Sequence, residues 1–177
     1  MELLGRVVVL GVIEQLLRRV HQRRGGQRSD KIEGKTSIFY VMSFESWFER
    51  SVGEWVSHRR YLYGSQRVSD SLSVEFSLRR EGESEFTLVW SSERNEGEMG
   101  FIIKGDVLER SRSYYKEEGC ETRMERVDED CVVFWSAYDG MKFREEIRLV
   151  DGGRLRQTVG WKKGEIVLVG SYFEERV

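Results

Sequence analysis

Short runs of alternating apolar and polar residues fill the sequence after Gly53, and they constrain the fold most strongly. About ten such runs follow one another, and no helical crossover segment separates them. A chain of this kind forms an antiparallel meander, whose edges must be closed or capped to prevent aggregation. We therefore expect a mainly β fold, a closed up-and-down antiparallel barrel of about ten strands, lipocalin-like or fatty-acid-binding-protein-like, with room for one small ligand.

The predicted strands are joined by residues of turn type, among which Asp139-Gly140 is the clearest two-residue hairpin signal. The runs lie near Trp55–Tyr63, Leu72–Arg80, Glu85–Ser92, Glu98–Lys104, Asp106–Tyr114, Thr122–Val127, Cys131–Tyr138, Met141–Val150, Arg154–Trp161 and Ile166–Phe173.

A short helix is predicted before the first strand, over Ser43–Ser51, with Ser43 as its N-cap. Phe44, Trp47 and Phe48 fall at i, i+3 and i+4 and form one apolar stripe. We expect this helix to plug one end of the core.

Residues 1–41 differ in composition from the rest of the chain, with eight Lys and Arg against four Asp and Glu. The apolar run from Val7 to Leu17 is interrupted by Glu14 and is too short to span a membrane, which takes about 20 apolar residues. Two interpretations are open: a basic targeting leader, or a spurious extension with Met42 as the working start, which we favour. The ligand-binding barrel is then assigned to residues 42–177.

Composition and motifs exclude several classes of function. The formal net charge is −2, and the basic residues are interleaved with acids, so we expect no nucleic-acid partner. Neither His21 and His58 nor Cys120 and Cys131 have metal-ligand spacing. No catalytic triad and no phosphate-binding loop is evident, and we expect no metal and no cofactor.

Alternation in the first strand places Trp55, Ser57, Arg59, Tyr61 and Tyr63 on one face. The aromatic residues indicate that this face is the inner one, although it carries an arginine. A buried arginine needs a partner, because leaving it unpaired costs several kcal/mol. Arg59 is therefore either a member of a structural ion pair or a ligand-binding cation.

Three later strands carry further candidates. Arg154 and Arg156 share a face, and alternation alone favours an outward orientation for them; if Arg156 points inward, it forms a cationic site with Arg59 for a carboxylate-bearing conjugated ligand. Trp90 is on the face of Phe86 and Leu88, where it is either ordinary core or a flat wall for such a ligand. Glu145 shares its face with apolar residues and would have a raised pKa if it were buried unpaired.

The segment FESWFERSVGEWVSHRRYLY resembles the opening of the S-type phycobiliprotein lyases, the CpcS/CpeS family. Two later blocks, WSSERNEGEMGFIIKGDVLERSRSYY and FREEIRLVDGGRLRQT, are also similar to that family, so that the resemblance extends from about Ser43 to Phe173. The sequence departs from the family where His58 replaces a glutamine and where Leu62 and Tyr63 replace paired histidines found in some members.

The resemblance implies a β-barrel that binds a linear tetrapyrrole, a phycobilin such as phycoerythrobilin or phycocyanobilin, as its substrate. It implies an enzyme, a bilin lyase that forms a thioether between the bilin and a cysteine of an α or β phycobiliprotein subunit. It assigns bilin binding to Arg59, Arg154, Arg156 and Trp90, to which we add Tyr61 and Ser57 from the inner face of the first strand. Glu145, at a family acidic position, becomes the candidate catalytic residue.

The same resemblance implies a cytoplasmic protein, or a plastid protein in a phycobilin-containing alga, that is not inserted in a membrane. A homodimer is left open. The alternative functions are a non-catalytic bilin carrier and a fatty-acid or lipid carrier, which would also use arginines inside a barrel but should lack the inner carboxylate.

Overall fold

The structure is a computed structural model, and it describes residues 43–64, 68–112 and 118–177. Within these residues, one helix, α1 (Phe44–Ser51), precedes ten strands. The strands are β1 (Gly53–Tyr63), β2 (Val68–Arg80), β3 (Glu85–Ser92), β4 (Glu96–Lys104), β5 (Val107–Arg110), β6 (Cys120–Arg126), β7 (Cys131–Tyr138), β8 (Met141–Val150), β9 (Gly153–Lys162) and β10 (Glu165–Arg176).

The ten strands form a closed antiparallel barrel, as predicted from the alternation. Each strand pairs with its neighbours in sequence, and β1 pairs with β10 to close the ring. Closure leaves no free edge, which removes the aggregation hazard of an open meander. β10 pairs with β1 from Trp55↔Arg176 to Tyr63↔Leu168, so that the last strand is joined to the first over most of its length.

Helix α1 closes one end of the barrel, also as predicted. Ser43 caps the helix by accepting a hydrogen bond from the Ser46 backbone N–H, and Trp47 and Phe48 are buried. The Phe48 ring lies 5.2 Å from that of Phe86. The helix also reaches the turns at this end, because Arg50 donates to the Asp130 carboxylate at 2.8 Å.

Turn chemistry agrees with the sequence at the hairpin between β7 and β8. Asp139 and Gly140 both have positive φ values, 54° and 70°, as a two-residue hairpin of this kind requires. β5 differs from its predicted span of 106–114, because its pairing with β4 and β6 ends at Arg110. The leader assigned to residues 1–41 lies outside the described residues.

The barrel interior has two chemically different parts. Near α1 it is filled by a continuous apolar cluster, which contains Trp47, Phe48, Leu78, Phe86, Met99, Phe101, Ile103, Leu108, Met124, Val132 and Phe134. On the wall formed by β8, β9, β10 and β1, the inner face instead carries buried charged and hydroxyl groups. The sequence-predicted site residues other than Trp90 lie on this charged wall.

Candidate functional site

The inner face of β1 is the one that alternation predicted. Trp55 and Ser57 are buried, Arg59 and Tyr61 are half-buried, and Tyr63 is exposed at the end of the barrel farther from α1. The Tyr61 ring stacks on Tyr63 with centroids 6.2 Å apart, so an aromatic pair continues this face beyond Arg59.

Arg154 and Arg156 both lie on the inner face of β9. The outward orientation that alternation alone favoured is wrong for both. Leu155 occupies the outer face between them and is half-buried. The polar residues can point inward because buried carboxylates on β8 and β10 meet them there, and such pairing offsets the cost of removing charges from water.

Arg154 forms a sealed ion pair with Glu174 of β10. Its Nε and Nη2 atoms both donate to Glu174 Oε2 at 2.7 Å, and the two side chains are 6% and 0% exposed. The guanidinium carbon lies 4.5 Å from the Trp55 ring centroid and 5.0 Å from that of Phe76. Ser57 donates to the second oxygen, Oε1, at 3.2 Å. The Arg154–Glu174 cluster is therefore part of the packed interior.

Glu145 of β8 is buried at the centre of a second cluster. Its Oε1 accepts from Arg156 Nη2 and, at 3.3 Å, from the Thr158 hydroxyl. Its Oε2 accepts from Arg110 Nη2 at the longer distance of 3.4 Å. Burial would raise the pKa of this carboxyl, but Arg156 and Arg110 outweigh burial and lower its pKa to about 2. Glu145 is therefore paired and ionised at neutral pH.

Arg59 differs from the other inner arginines. Its Nε donates to Ser57 Oγ at 3.1 Å, and within the described residues it forms no ion pair with a carboxylate. The structural ion pair considered for it from the sequence is thus not found in that part of the chain. Its guanidinium carbon lies 5.6 Å from the centroid of the Tyr172 ring, and that of Arg156 lies 4.9 Å from the same centroid. The structure brings Arg59 and Arg156 together at one tyrosine.

Tyr172 occupies this position because Gly170 leaves room for it. A Cβ atom at Gly170 would meet the Tyr172 hydroxyl at 2.5 Å, so no larger residue fits there without displacing the ring. Tyr172 is buried, and burial raises the pKa of its phenol, which therefore stays protonated. It serves as a neutral aromatic surface for the two guanidinium groups.

Trp90 lies on β3, on the opposite wall of the barrel from Glu145. Its ring covers Gly97, the residue paired with it on β4, where a Cβ atom would come within 2.4 Å of the ring. Trp90 packs against the apolar cluster, and its Nε1 donates to Asn95 Oδ1 at 3.3 Å. Trp90 is therefore half-buried and forms part of the wall of the interior.

Four residues of the charged wall and its surroundings were not predicted: Arg110, Thr158, Tyr172 and Glu174. Alternation could have found Glu174, since Gly170, Tyr172 and Glu174 are on the inner face of β10, but the predicted strand ended at Phe173. Arg110 shares its face with buried Leu108 and was detectable in the same way.

Two proteins with chromophore-lyase names are similar to this chain. A Nostoc sp. PCC 7120 protein, provisionally assigned as phycocyanobilin lyase CpcS 2, is 24% identical over 160 residues, which cover 74% of this chain and 89% of the relative. A Picosynechococcus sp. PCC 7002 protein, provisionally assigned as chromophore lyase CpcV, is 25% identical over 162 residues, 75% of this chain and 80% of the relative. The chain is similar to proteins named as CpcS and CpcV chromophore lyases. The resemblance found in the sequence is thereby confirmed. No protein-family model matches the chain.

A solved structure supports the fold. A protein of unknown function from the DUF3598 family of Nostoc punctiforme PCC 73102 superposes with a TM-score of 0.58 at 19% identity. The match covers 73% of this chain and about half, 49%, of the solved one. At this identity the likeness concerns the fold alone.

Two kinds of feature are absent from the described residues. None of their helices has the length and apolar character needed to cross a membrane. In the same part of the chain, no three or more His, Cys, Asp or Glu side chains are gathered in a way that could hold a metal ion.

Proposed function

We propose that the protein is a bilin lyase, which binds a linear tetrapyrrole in the barrel and attaches it through a thioether to a cysteine of a phycobiliprotein α or β subunit. The observation that carries the proposal is the arrangement of Arg59 and Arg156 around Tyr172, inside a barrel related to chromophore lyases. Two guanidinium groups beside an aromatic ring suit a conjugated ligand with two propionates, because guanidinium binds carboxylate through two parallel hydrogen bonds.

Arg59 is the stronger propionate ligand of the inner arginines. It is half-buried and forms no ion pair with a carboxylate among the described residues, so a propionate can approach it without displacing one. Arg154 is a poorer candidate, because Glu174 and two aromatic rings already surround its guanidinium group. We therefore assign Arg154 and Ser57 to positioning Arg59, through the chain of contacts from Glu174 to Ser57 to Arg59.

Glu145 supplies negative charge in the same interior. Its carboxylate stays ionised at neutral pH because the nearby guanidinium groups lower its pKa to about 2. Among the described residues, Oε2 accepts only from Arg110, at 3.4 Å, so it is the oxygen better placed to accept from a pyrrole N–H. A carboxylate at that point stabilises a protonated tetrapyrrole, which is the more electrophilic form.

The bond-forming step needs no redox partner. The sulfur of the acceptor cysteine forms a carbon–sulfur bond with the A-ring substituent, and the electron pair of the broken carbon–carbon π bond takes up a proton equivalent to the one that the thiol loses. The barrel's own thiols are poor candidates for this role. Burial raises the pKa of Cys131 to about 11 and also raises that of Cys120, and the thiolate is the nucleophilic form.

Coexpression with bilin-producing enzymes and a phycobiliprotein subunit tests the proposal. Zinc-induced fluorescence of the denatured subunit reports covalent attachment, and we expect it to depend on this protein. Attachment that proceeds equally without the protein, while the protein still binds bilin, would favour the non-catalytic carrier. Binding of a fatty acid but of no bilin would favour the lipid carrier.

Glu145→Gln tests the role of the carboxylate. We expect the bound pigment to absorb further to the blue and transfer to slow, because glutamine cannot hold the negative charge. Glu146→Gln is the matched control, since Glu146 lies on the outer face and pairs with Arg144 at 2.7 Å. Equal spectra and transfer rates for Glu145→Gln and the unsubstituted protein would contradict this mechanism.

A further inference from the structure

Two hydroxyl groups inside the barrel have no hydrogen-bond partner among the described residues. Thr122 of β6 and Ser136 of β7 are 0% and 7% exposed, and within that part of the chain neither Thr122 Oγ1 nor Ser136 Oγ is hydrogen-bonded. The two residues are directly opposite each other in the β6–β7 ladder. Their Cβ atoms are therefore separated by about 4.5–5.5 Å, as in any directly opposed antiparallel pair.

Unpartnered hydroxyls at these positions destabilise the ligand-free barrel. A buried polar group without a hydrogen bond loses its contacts with water and gains nothing in return. Valine has nearly the shape of threonine and would fill the same space beside buried Leu108, which is paired with Thr122 across β5 and β6. A buried polar group left in this state calls for an explanation in function.

The hydroxyl pair lies beside the charged wall. β6 and β7 separate β5 from β8 in the ring, so the contact from Arg110 on β5 to Glu145 on β8 bridges the two strands that carry the hydroxyls. At 3.4 Å this is the longest hydrogen bond between Glu145 and the side chains that the structure describes. Ser136 is also paired with Phe143 of β8, whose ring stacks on Tyr138 with centroids 4.6 Å apart. Ionic and aromatic groups thus border the two hydroxyls.

We propose that Thr122 and Ser136 bind the amide edge of a terminal lactam ring of the tetrapyrrole, an assignment that rests on the proposed function. A lactam presents a carbonyl acceptor and an N–H donor on adjacent atoms, and each hydroxyl can both donate and accept. In the structure the Arg110–Glu145 contact spans β6 and β7, the strands that carry this position. The entering ring displaces the Arg110 guanidinium, frees Glu145 Oε2 and gives both hydroxyls a partner.

This arrangement distinguishes the ends of the ligand from its middle. The propionates of a linear tetrapyrrole belong to its inner rings and are bound by guanidinium groups, whereas its terminal rings carry neutral amides and are bound by neutral hydroxyls. A fatty acid has no amide N–H, so its carboxylate can accept hydrogen bonds from Thr122 and Ser136 but cannot donate one to either hydroxyl.

The test uses Thr122→Val and Ser136→Ala, singly and together, in the full chain, with biliverdin as the linear tetrapyrrole. Without ligand, we expect melting temperatures equal to or above that of the unsubstituted protein, because an unpartnered hydroxyl is removed. In absorbance titrations with biliverdin, we expect the dissociation constant to rise about 2- to 10-fold for each hydroxyl lost, the size of one neutral hydrogen bond.

Two controls accompany these variants. Thr122→Ser keeps the hydroxyl and should bind biliverdin within about 2-fold of the unsubstituted protein. Thr158→Val removes a hydroxyl that donates to Glu145 at 3.3 Å, and it should lower the melting temperature of the ligand-free protein.

Three results would overturn the assignment. Lower melting temperatures with unchanged biliverdin affinity would show that the hydroxyls serve the fold. If the variants lost affinity for oleate as much as for biliverdin, the two hydroxyls would not be recognising an amide. Unchanged affinity in a protein that binds biliverdin would refute this inference alone, whereas a failure of the unsubstituted protein to bind any linear tetrapyrrole would refute the proposed function and this inference with it.

Discussion

Arg154 and Arg156 are two residues apart on one strand and point into the same barrel, yet their surroundings differ. Arg154 donates twice to fully buried Glu174 and packs against Trp55 and Phe76. Arg156 shares Glu145 with Arg110 and Thr158 and faces Tyr172, beside half-buried Arg59. The Arg154–Glu174 cluster is enclosed by other described residues. The Glu145 cluster instead adjoins Arg59, which forms no ion pair with a described carboxylate. The same residue type therefore serves the fold at Arg154 and, in the proposed function, a ligand at Arg156.

The largest expected effect tests the Arg154–Glu174 cluster. Glu174→Gln should lower the free energy of unfolding by about 3–5 kcal/mol, because it removes the carboxylate from a buried guanidinium. Urea denaturation measures the change. Glu175→Gln is the matched control: the neighbouring side chain is 55% exposed, and its loss should change the free energy by less than about 0.5 kcal/mol. If the two variants are equally stable, the cluster does not hold the fold together.

The second prediction concerns acid stability and the Glu145 cluster. The pKa of Glu145 is about 2 in the folded protein, against an ordinary value of 4.5. Its contribution is fully present above pH 4.5 and is lost as the pH falls toward 2, a change on the order of 3 kcal/mol. Glu145→Gln should flatten this part of the stability curve, measured by denaturation at each pH. Glu146→Gln should leave it in place, and an unflattened curve for Glu145→Gln would show that the pairing with Arg156 is weak.

The third prediction concerns Arg59, which we expect to contribute to ligand binding and not to stability. Arg59→Ala should weaken tetrapyrrole binding about 10- to 100-fold, the value of a charge-assisted hydrogen bond of roughly 1.5–3 kcal/mol. The melting temperature should change little, because no carboxylate is left without a partner. Arg60→Ala, on the exposed face of β1, is the control for both measurements. A sharply lower melting temperature with unchanged tetrapyrrole affinity would show that Arg59 stabilises the fold, as the Arg154–Glu174 cluster does.

The sequence was sufficient for the barrel and for the face of β1. Ten alternating runs, the Asp139-Gly140 turn and the apolar stripe of α1 all depend on local periodicity, which is visible within a few residues. The face of β1 was equally clear, because Trp55 and Tyr61 identify the inner side. The position of Glu145 on the inner face of β8 followed in the same way.

The orientation of β9 and the environment of Glu145 could not be predicted. Both faces of β9 carry residues that can lie inside or outside the barrel, so the local sequence does not determine which face is inner. The inner face is determined by Glu145 and Glu174, which lie 11 and 20 residues away in sequence from their arginines. The low pKa of Glu145 depends on Arg110, 35 residues away on a strand that is not its neighbour. These ion pairs can form only after the strands have closed into the barrel.

The pairing of β1 with β10 has a consequence for how the protein is made. Ser57 reaches Glu174 across 117 residues, and the other partners on the charged wall also come from the last third of the chain. Contacts of such long sequence separation form late, since the entropy of closing the intervening loop must be overcome first. Until β10 has left the ribosome, a nascent chain would hold Arg59 on a strand without its counterpart and would lack the proposed pigment site. We expect any pigment uptake to begin only after β10 has paired with β1, so that barrel closure precedes binding of the chromophore.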